Sequence, residues 1–180
     1  MRIVAGAAKG RPLVAPTGRD TRPTSDRARE GLFSTLATLV DLDGARVLDL
    51  YAGSGAVGLE ALSRGAAHAV LVESDLKAAN VIRRNVDAVG LPGARVVVDR
   101  VERFLASDGG TYDVAFLDPP YDTSEEIVAR VLAALRAEVV VVERATRGGP
   151  VTWPAGVEGV RERRYGEGTL WYGRRVEPAS

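Results

Sequence analysis

The chain has 180 residues, 46% hydrophobic and 27% charged, enough for one domain with a full core and typical of an ordinary globular protein. It has no cysteine and one histidine, His68, which excludes disulfides, thiolate metal sites and histidine-cluster metal sites and argues against a Ser-His-Asp triad. Its 24 basic and 24 acidic residues balance, yet residues 1–40 hold seven of the basic ones (Arg2, Lys9, Arg11, Arg19, Arg22, Arg27, Arg29) against Asp20, Asp26 and Glu30. A basic end on a neutral chain suits an anionic partner or a solvated tail, and charge alone does not choose between them. No stretch approaches the roughly 18 apolar residues of a membrane span, and the first residues lack the apolar core of a signal peptide. The expectation is a cytoplasmic protein that does not engage membranes.

In chain order, Ile3-Val4-Ala5 and Pro12-Leu13-Val14-Ala15 flank a Gly-bounded loop, which predicts a β-hairpin over residues 1–16 with Lys9 at its tip. Residues 16–23 form a loop with Pro and Gly punctuation. Thr24 or Ser25 then caps a helix with Asp26 in its first turn and an apolar stripe of Leu32, Phe33, Leu36, Leu39 and Val40. That helix is expected to pack on a sheet and to leave the hairpin as an appendage. The domain expectation is therefore an RNA-facing extension over 1–23 and a main domain over 24–180.

From Arg46 strands and helices alternate. The predicted strands are 46–51, 69–73, 94–98, 112–117 and 138–143, and the predicted helices 56–65, 75–89, 100–107 and 123–136. Near-continuous apolar strands such as Val70-Leu71-Val72 and Val139-Val140-Val141-Val142 suit a parallel sheet covered on both faces, so the fold class is α/β and doubly wound. Residues 144–156 read as a Gly/Pro loop, and Val157–Tyr165 and Thr169–Val176 as a closing antiparallel hairpin. His68 reads as a strand-edge residue without a chemical role.

Gly53-Ser54-Gly55-Ala56-Val57-Gly58 matches G-x-G-x-x-G, a weak signal that also serves NAD-binding domains. Asp49 narrows it. A carboxylate at the end of the preceding strand repels a pyrophosphate but can orient an ammonium group, which fits S-adenosylmethionine. Glu73, at the end of the second strand, is positioned to accept from ribose hydroxyls or to cap the next helix. Asp99 ends the third strand in the same way; its carboxylate can accept from an adenine amine, cap the next helix, or both, and the Arg100 N–H can reach a ring nitrogen.

Asp118-Pro119-Pro120-Tyr121 is the most specific signal. Two prolines remove two backbone donors and leave acceptors free. An exocyclic amine on a nucleobase is a poor nucleophile because its lone pair is delocalised. The Asp118 carboxylate and the Pro119 carbonyl can hold both of its hydrogens and turn the lone pair toward a methyl group. Tyr121 offers a flat face on which the base stacks, worth ~1–3 kcal/mol.

Asp49 with the glycine turn and Asp118-Pro119-Pro120-Tyr121 resemble the class I S-adenosylmethionine-dependent methyltransferases that modify exocyclic base amines. The runs Arg2-Ile3-Val4-Ala5-Gly6, Lys9-Gly10-Arg11-Pro12-Leu13 and Arg22 to Phe33 resemble, more narrowly, the RsmD family of bacterial 16S rRNA guanine-N2 methyltransferases. This resemblance covers nearly the whole chain. It implies a seven-stranded Rossmann-like sheet with the last strand inserted antiparallel. It also implies S-adenosylmethionine as donor (S-adenosylhomocysteine as product) and a guanine of 16S rRNA in the small ribosomal subunit as acceptor. Carried onto this chain, the cofactor set is Asp49, Tyr51, Ala52, Gly53, Ser54, Gly55, Glu73, Ser74, Asp99 and Arg100. The catalytic set is Asp118, Pro119, Pro120 and Tyr121. The RNA-binding set is Arg2, Lys9, Arg11, Arg22 and Arg27, and the segment Arg22 to Arg29 would close over the cofactor. One departure from the family is visible, because the helix expected after the fifth strand is missing or very short.

The expectation is a monomer that uses no metal. Two rival readings are N6-adenine methylation of DNA, which usually requires a sizeable target-recognition domain, and a non-catalytic RNA-binding assembly factor with a vestigial site. A dehydrogenase rests on the glycine fingerprint alone.

Overall fold

A computed structural model describes residues 1–17 and 25–176. The elements in chain order are α1 (Asp26–Leu36), β1 (Arg46–Leu50), α2 (Ala56–Ser63), β2 (His68–Glu73), α3 (Leu76–Val89), β3 (Ala94–Val98), α4 (Val101–Asp108), β4 (Tyr112–Leu117), α5 (Glu125–Ala134), β5 (Ala137–Ala145), a short 3-10 turn (Thr146–Gly148), β6 (Val157–Tyr165) and β7 (Gly168–Arg175). The strands form one seven-stranded sheet in the order β3-β2-β1-β4-β5-β7-β6. β1 to β5 are parallel, and β7 enters between β5 and β6 antiparallel to both. This is the doubly wound sheet that the strand–helix alternation predicts.

Alternation along each buried strand divides the core into two layers. Val47, Leu71, Phe116, Val141 and Tyr172 face α1, α2 and α3. Leu48, Val72, Leu117, Val142 and Trp171 face α4 and α5. Helix starts follow local chemistry. The Ser25 hydroxyl accepts from Ala28 N (3.1 Å), Asp75 from Ala78 N (3.3 Å) and Ser124 from Ile127 N (3.3 Å). Ser25 is thus the cap of α1; Thr24 lies outside the described residues.

The N-terminal run forms a short hairpin: one antiparallel bridge, Arg2 to Pro12, flanked by Ile3 N on the Arg11 carbonyl (3.0 Å), Gly10 N on the Ile3 carbonyl (2.8 Å) and Leu13 N on the Met1 carbonyl (2.8 Å). It departs from expectation in not being an appendage, because Ile3, Ala8 and Leu13 are buried in the α1–α3 layer. The backbone groups of its loop find partners on α2: Val4 N and Ala5 N donate to the two carboxylate oxygens of Glu60 (2.9 and 3.1 Å), and Ala7 N and Ala8 N to the carbonyl and hydroxyl of Ser63 (2.8 and 2.9 Å). The approach requires glycine at position 6, where a Cβ would lie 1.9 Å from the Ser63 carbonyl oxygen.

β5 is also longer than the predicted 138–143. Its pairing with β7 runs to Ala145↔Gly168, so Arg144 is a strand residue rather than the start of a loop. After it come the 3-10 turn and extended chain, with no full helix between β5 and β6.

Candidate functional site

The carboxyl ends of the parallel strands gather the candidate residues. At the end of β1, Tyr51 adopts φ +60°, a left-handed conformation that costs a non-glycine residue ~1–3 kcal/mol and tends to mark functional sites. The turn that follows closes with Gly55 N on the Ala52 carbonyl (2.8 Å), while Ala52 N binds the Val72 carbonyl (3.0 Å). Gly53 and Gly55 take φ +58° and +79°.

Gly55 caps α2 without a side chain. Asp49 supplies the missing acceptor, its Oδ2 taking the Gly58 N–H at 3.0 Å. A Cβ at Gly58 would meet the Leu71 side chain at 2.9 Å, so the third glycine of the motif serves this close packing. Asp49 is buried, and burial pushes its carboxyl up to about 7; the Gly58 N–H opposes the shift and the Glu73 charge adds to it.

Both oxygens of Glu73 are engaged by backbone, Oε1 with Gly53 N and Oε2 with Asp75 N, each at 2.9 Å. Glu73 thereby fixes the glycine turn to the end of β2, and Asp75, not Glu73, caps α3. Asp99 does not cap α4, whose N-cap is Arg100, and its Oδ1 takes the Arg100 N–H at 2.8 Å. Beside these residues lies a cleft of about 150 Å³ lined by Tyr51, Val72, Glu73, Ser74, Arg100 and Glu102. The Tyr51 hydroxyl is pushed up to about 12 by burial and by the charge and hydrogen bond of Glu102.

Asp118 follows the last residue of β4 and Glu143 lies near the end of β5; each comes directly after a member of the Leu117↔Val142 pair. Asp118 is solvent-accessible, while protein atoms surround much of its carboxyl. Its carboxyl is raised well above the usual range by desolvation and by the charges of Glu143 and Asp49, with Arg144 opposing. Asp49 of β1 and Glu143 of β5 thus both act on Asp118, at the end of the strand between them.

Pro119 is buried and Tyr121 is 47% exposed. The two proline carbonyls differ. That of Pro120 accepts from Thr123 N (2.9 Å) and from Arg144 Nη1 (3.2 Å). That of Pro119 receives no hydrogen bond among the described residues.

Sequence reasoning missed two residues that shape this end of the sheet. The buried Arg144 donates from Nη2 to the Thr123 carbonyl (2.9 Å) and pairs with Glu125 (3.2 Å), bracing the loop after Asp118. The buried Asn85 of α3 donates to the carbonyls of Ser54 and Val14 and accepts from Val14 N, all at 2.8 Å, tying the glycine turn to the N-terminal run. Nothing in their spacing announces these roles, because both depend on long-range contacts.

The basic residues do not gather in one place. Lys9 sits in the loop whose neighbours hydrogen-bond Ser63 at the end of α2, and Arg11 donates to the carbonyl of Val89 at the end of α3. Both helices end just before the next strand begins, so Lys9 and Arg11 lie at the amino end of the sheet, opposite Asp118. Arg27 is exposed in the first turn of α1. Arg29, in the segment expected to close over the cofactor, is fully buried: Nε meets Glu60 at 3.1 Å, and Nη2 meets Asp26 at 2.8 Å and the carbonyl of Arg2. Arg22 lies outside the described residues.

The model of the family described as conserved hypothetical protein 95 matches residues 1–174. Ribosomal RNA small subunit methyltransferase D of Escherichia coli (strain K12) is 44% identical over 121 residues, 67% of this chain and 60% of that protein. The protein of the same name from Haemophilus influenzae is 36% identical over 125 residues, 67% and 64% of the two chains. The match thus spans about 60% of the length of the first of these relatives. Among solved structures, the yhhF protein of Escherichia coli has a TM-score of 0.83 and 35% identity, with 97% of each chain covered.

Proposed function

The chain belongs to the family of conserved hypothetical protein 95, the RsmD family, and from that premise we propose that it methylates the exocyclic N2 amine of a guanine in 16S rRNA, within the small ribosomal subunit or its assembly intermediate, using S-adenosylmethionine. The observation that carries this reading is the pair of acceptors at the carboxyl end of β4: the Asp118 carboxylate and a Pro119 carbonyl with no partner among the described residues, followed by the half-exposed Tyr121.

S-adenosylmethionine, when bound, supplies a methyl group made electrophilic by its sulfonium. The residues present fit such a donor. Asp49, Glu73, Asp118 and Glu143 make this end of the sheet electronegative; burial raises the pKa values of Asp49 and Asp118, and neighbouring carboxylates add to the rise. A ligand with an ammonium and a sulfonium offsets that negative charge, whereas a pyrophosphate adds to it. The cleft beside Tyr51, Glu73 and Arg100 would take the nucleoside end.

A base that leaves its stack enters beside Tyr121. Asp118 and Pro119 accept its two amine hydrogens and so direct the nitrogen lone pair. These acceptors strengthen their hold as positive charge develops on nitrogen, and Asp118, a stronger base than an ordinary carboxylate, can take the released proton.

The test is transfer of tritium-labelled methyl to small ribosomal subunits, naked 16S rRNA and DNA. Label in the subunits or rRNA supports the reading. Label in DNA alone supports the adenine-methylating rival, and no label anywhere supports a non-catalytic factor.

A further inference from the structure

Beside Tyr121 lies a second recess, of about 290 Å³. Its walls are the loop from Tyr121 to Glu125 and the chain from Arg144 to Val151, and it shares no lining residue with the cleft at Tyr51. Tyr121 lines one wall; Arg147 and Gly148-Gly149, where a Cβ would meet nothing within 4 Å, line the other. Arg144, at the base, is committed to protein carbonyls and Glu125. Arg147 differs: it is exposed, and its side chain has no hydrogen-bond or ion-pair partner among the described residues.

A second such arginine stands on the same face. Arg164 of β6 pairs with Thr169, whose hydroxyl meets that of Thr146 in the 3-10 turn at 2.8 Å. Paired residues of an antiparallel ladder project to the same side of the sheet, so Arg164 projects toward the face that carries the turn and Arg147. It is exposed and also lacks a side-chain partner among the described residues.

We propose that this recess and the adjoining sheet face form an RNA-backbone subsite, in which Arg147 at the recess and Arg164 on the same face hold phosphates flanking the nucleotide presented to Asp118. This rests on the function proposed above and gives its RNA contact a location. An aromatic wall, two uncommitted guanidiniums and a glycine pair that leaves room for a bulky chain match a nucleotide with its phosphodiester. The basic residues of the N-terminal loop cannot serve here, because Lys9 and Arg11 lie at the opposite end of the sheet.

The experiment measures binding of the full chain to small ribosomal subunits from cells deleted for its gene, as a function of salt, with methyl transfer followed separately. Arg147→Ala and Arg164→Ala should each weaken binding several-fold and lower the salt dependence by about one phosphate contact, while affinity for S-adenosylmethionine is unchanged. Lys9→Ala should bind within about two-fold of the parent. Unchanged binding and salt slope in the double arginine variant would overturn the subsite, as would an equal loss in Lys9→Ala. A parent chain that binds subunits without methylating them defeats the proposed function instead, and the binding comparison still decides the subsite.

Discussion

Arg144 donates to the carbonyl of Pro120 at 3.2 Å and to that of Thr123 at 2.9 Å, so one buried guanidinium holds both sides of the turn that carries Tyr121. It occupies the Pro120 carbonyl and braces the chain that presents Asp118 and the Pro119 carbonyl. Arg144→Ala should therefore lower kcat by about 10- to 100-fold through misplacement of the loop, with cofactor affinity retained. Arg144→Lys should recover only part of the rate, because a single ammonium cannot reproduce the fork. Stopped-time methylation assays and calorimetry separate the two quantities.

Asp118 is a strong acceptor for an amine, and can take its proton, when it is ionised. Its carboxyl is raised by burial, Glu143 and Asp49, so the accepting form is present above that raised value and is lost as pH falls through it. The rate should show an acidic limb above the usual carboxylate range. Arg144 opposes the rise, so Arg144→Gln should move the limb to higher pH. Asp118→Ala should abolish turnover while cofactor binding survives. A pH profile flat down to about 4, the ordinary carboxylate range, would contradict this assignment.

Asp49 makes a different prediction, because its buried charge costs stability. Its folded pKa of about 7 exceeds the usual 3.8, so the ionised folded state is progressively disfavoured as pH rises from the lower value to the higher. Asp49→Asn keeps an acceptor for Gly58 N and removes the charge. It should raise the melting temperature of the ligand-free protein at pH 8 more than at pH 4, and weaken S-adenosylmethionine binding by about ten-fold or more. Cofactor binding near pH 7 should also release protons, seen as a calorimetric heat that depends on the buffer.

Glu60 is fully buried and accepts from Val4 N, Ala5 N, Arg29 Nε and Arg64 Nε. Glu60→Ala strands a buried guanidinium and two backbone donors at once. Breaking one partner of a buried ion pair typically costs about 3–5 kcal/mol, which corresponds to a fall of roughly 6–20 °C in melting temperature for a chain of this size. Thermal denaturation followed by circular dichroism measures it, and a loss of under about 2 °C would show that the network contributes little to stability.

The parallel sheet was legible because buried strands such as Val139-Val140-Val141-Val142 and the helices between them follow from local pattern. The glycine turn and Asp118-Pro119-Pro120-Tyr121 were legible because their chemistry is contiguous in the chain. The N-terminal run was not. Its burial depends on Glu60 and Ser63, more than fifty residues away, and a charged residue carries no periodic apolar signal. For the same reason Arg29 read as part of a segment closing over the cofactor and Arg144 as loop. Spacing that places Lys9 and Arg11 near a basic segment says nothing about which end of the sheet they reach; helix ends at Ser63 and Val89 decide that.

Digestion of methylated 16S rRNA to nucleosides, after reaction of the chain with labelled S-adenosylmethionine and unmodified small subunits, tests the central claim most directly. The label should elute as N2-methylguanosine, and Asp118→Ala should remove it. Label recovered as N6-methyladenosine, or retained in full by Asp118→Ala, would contradict the account.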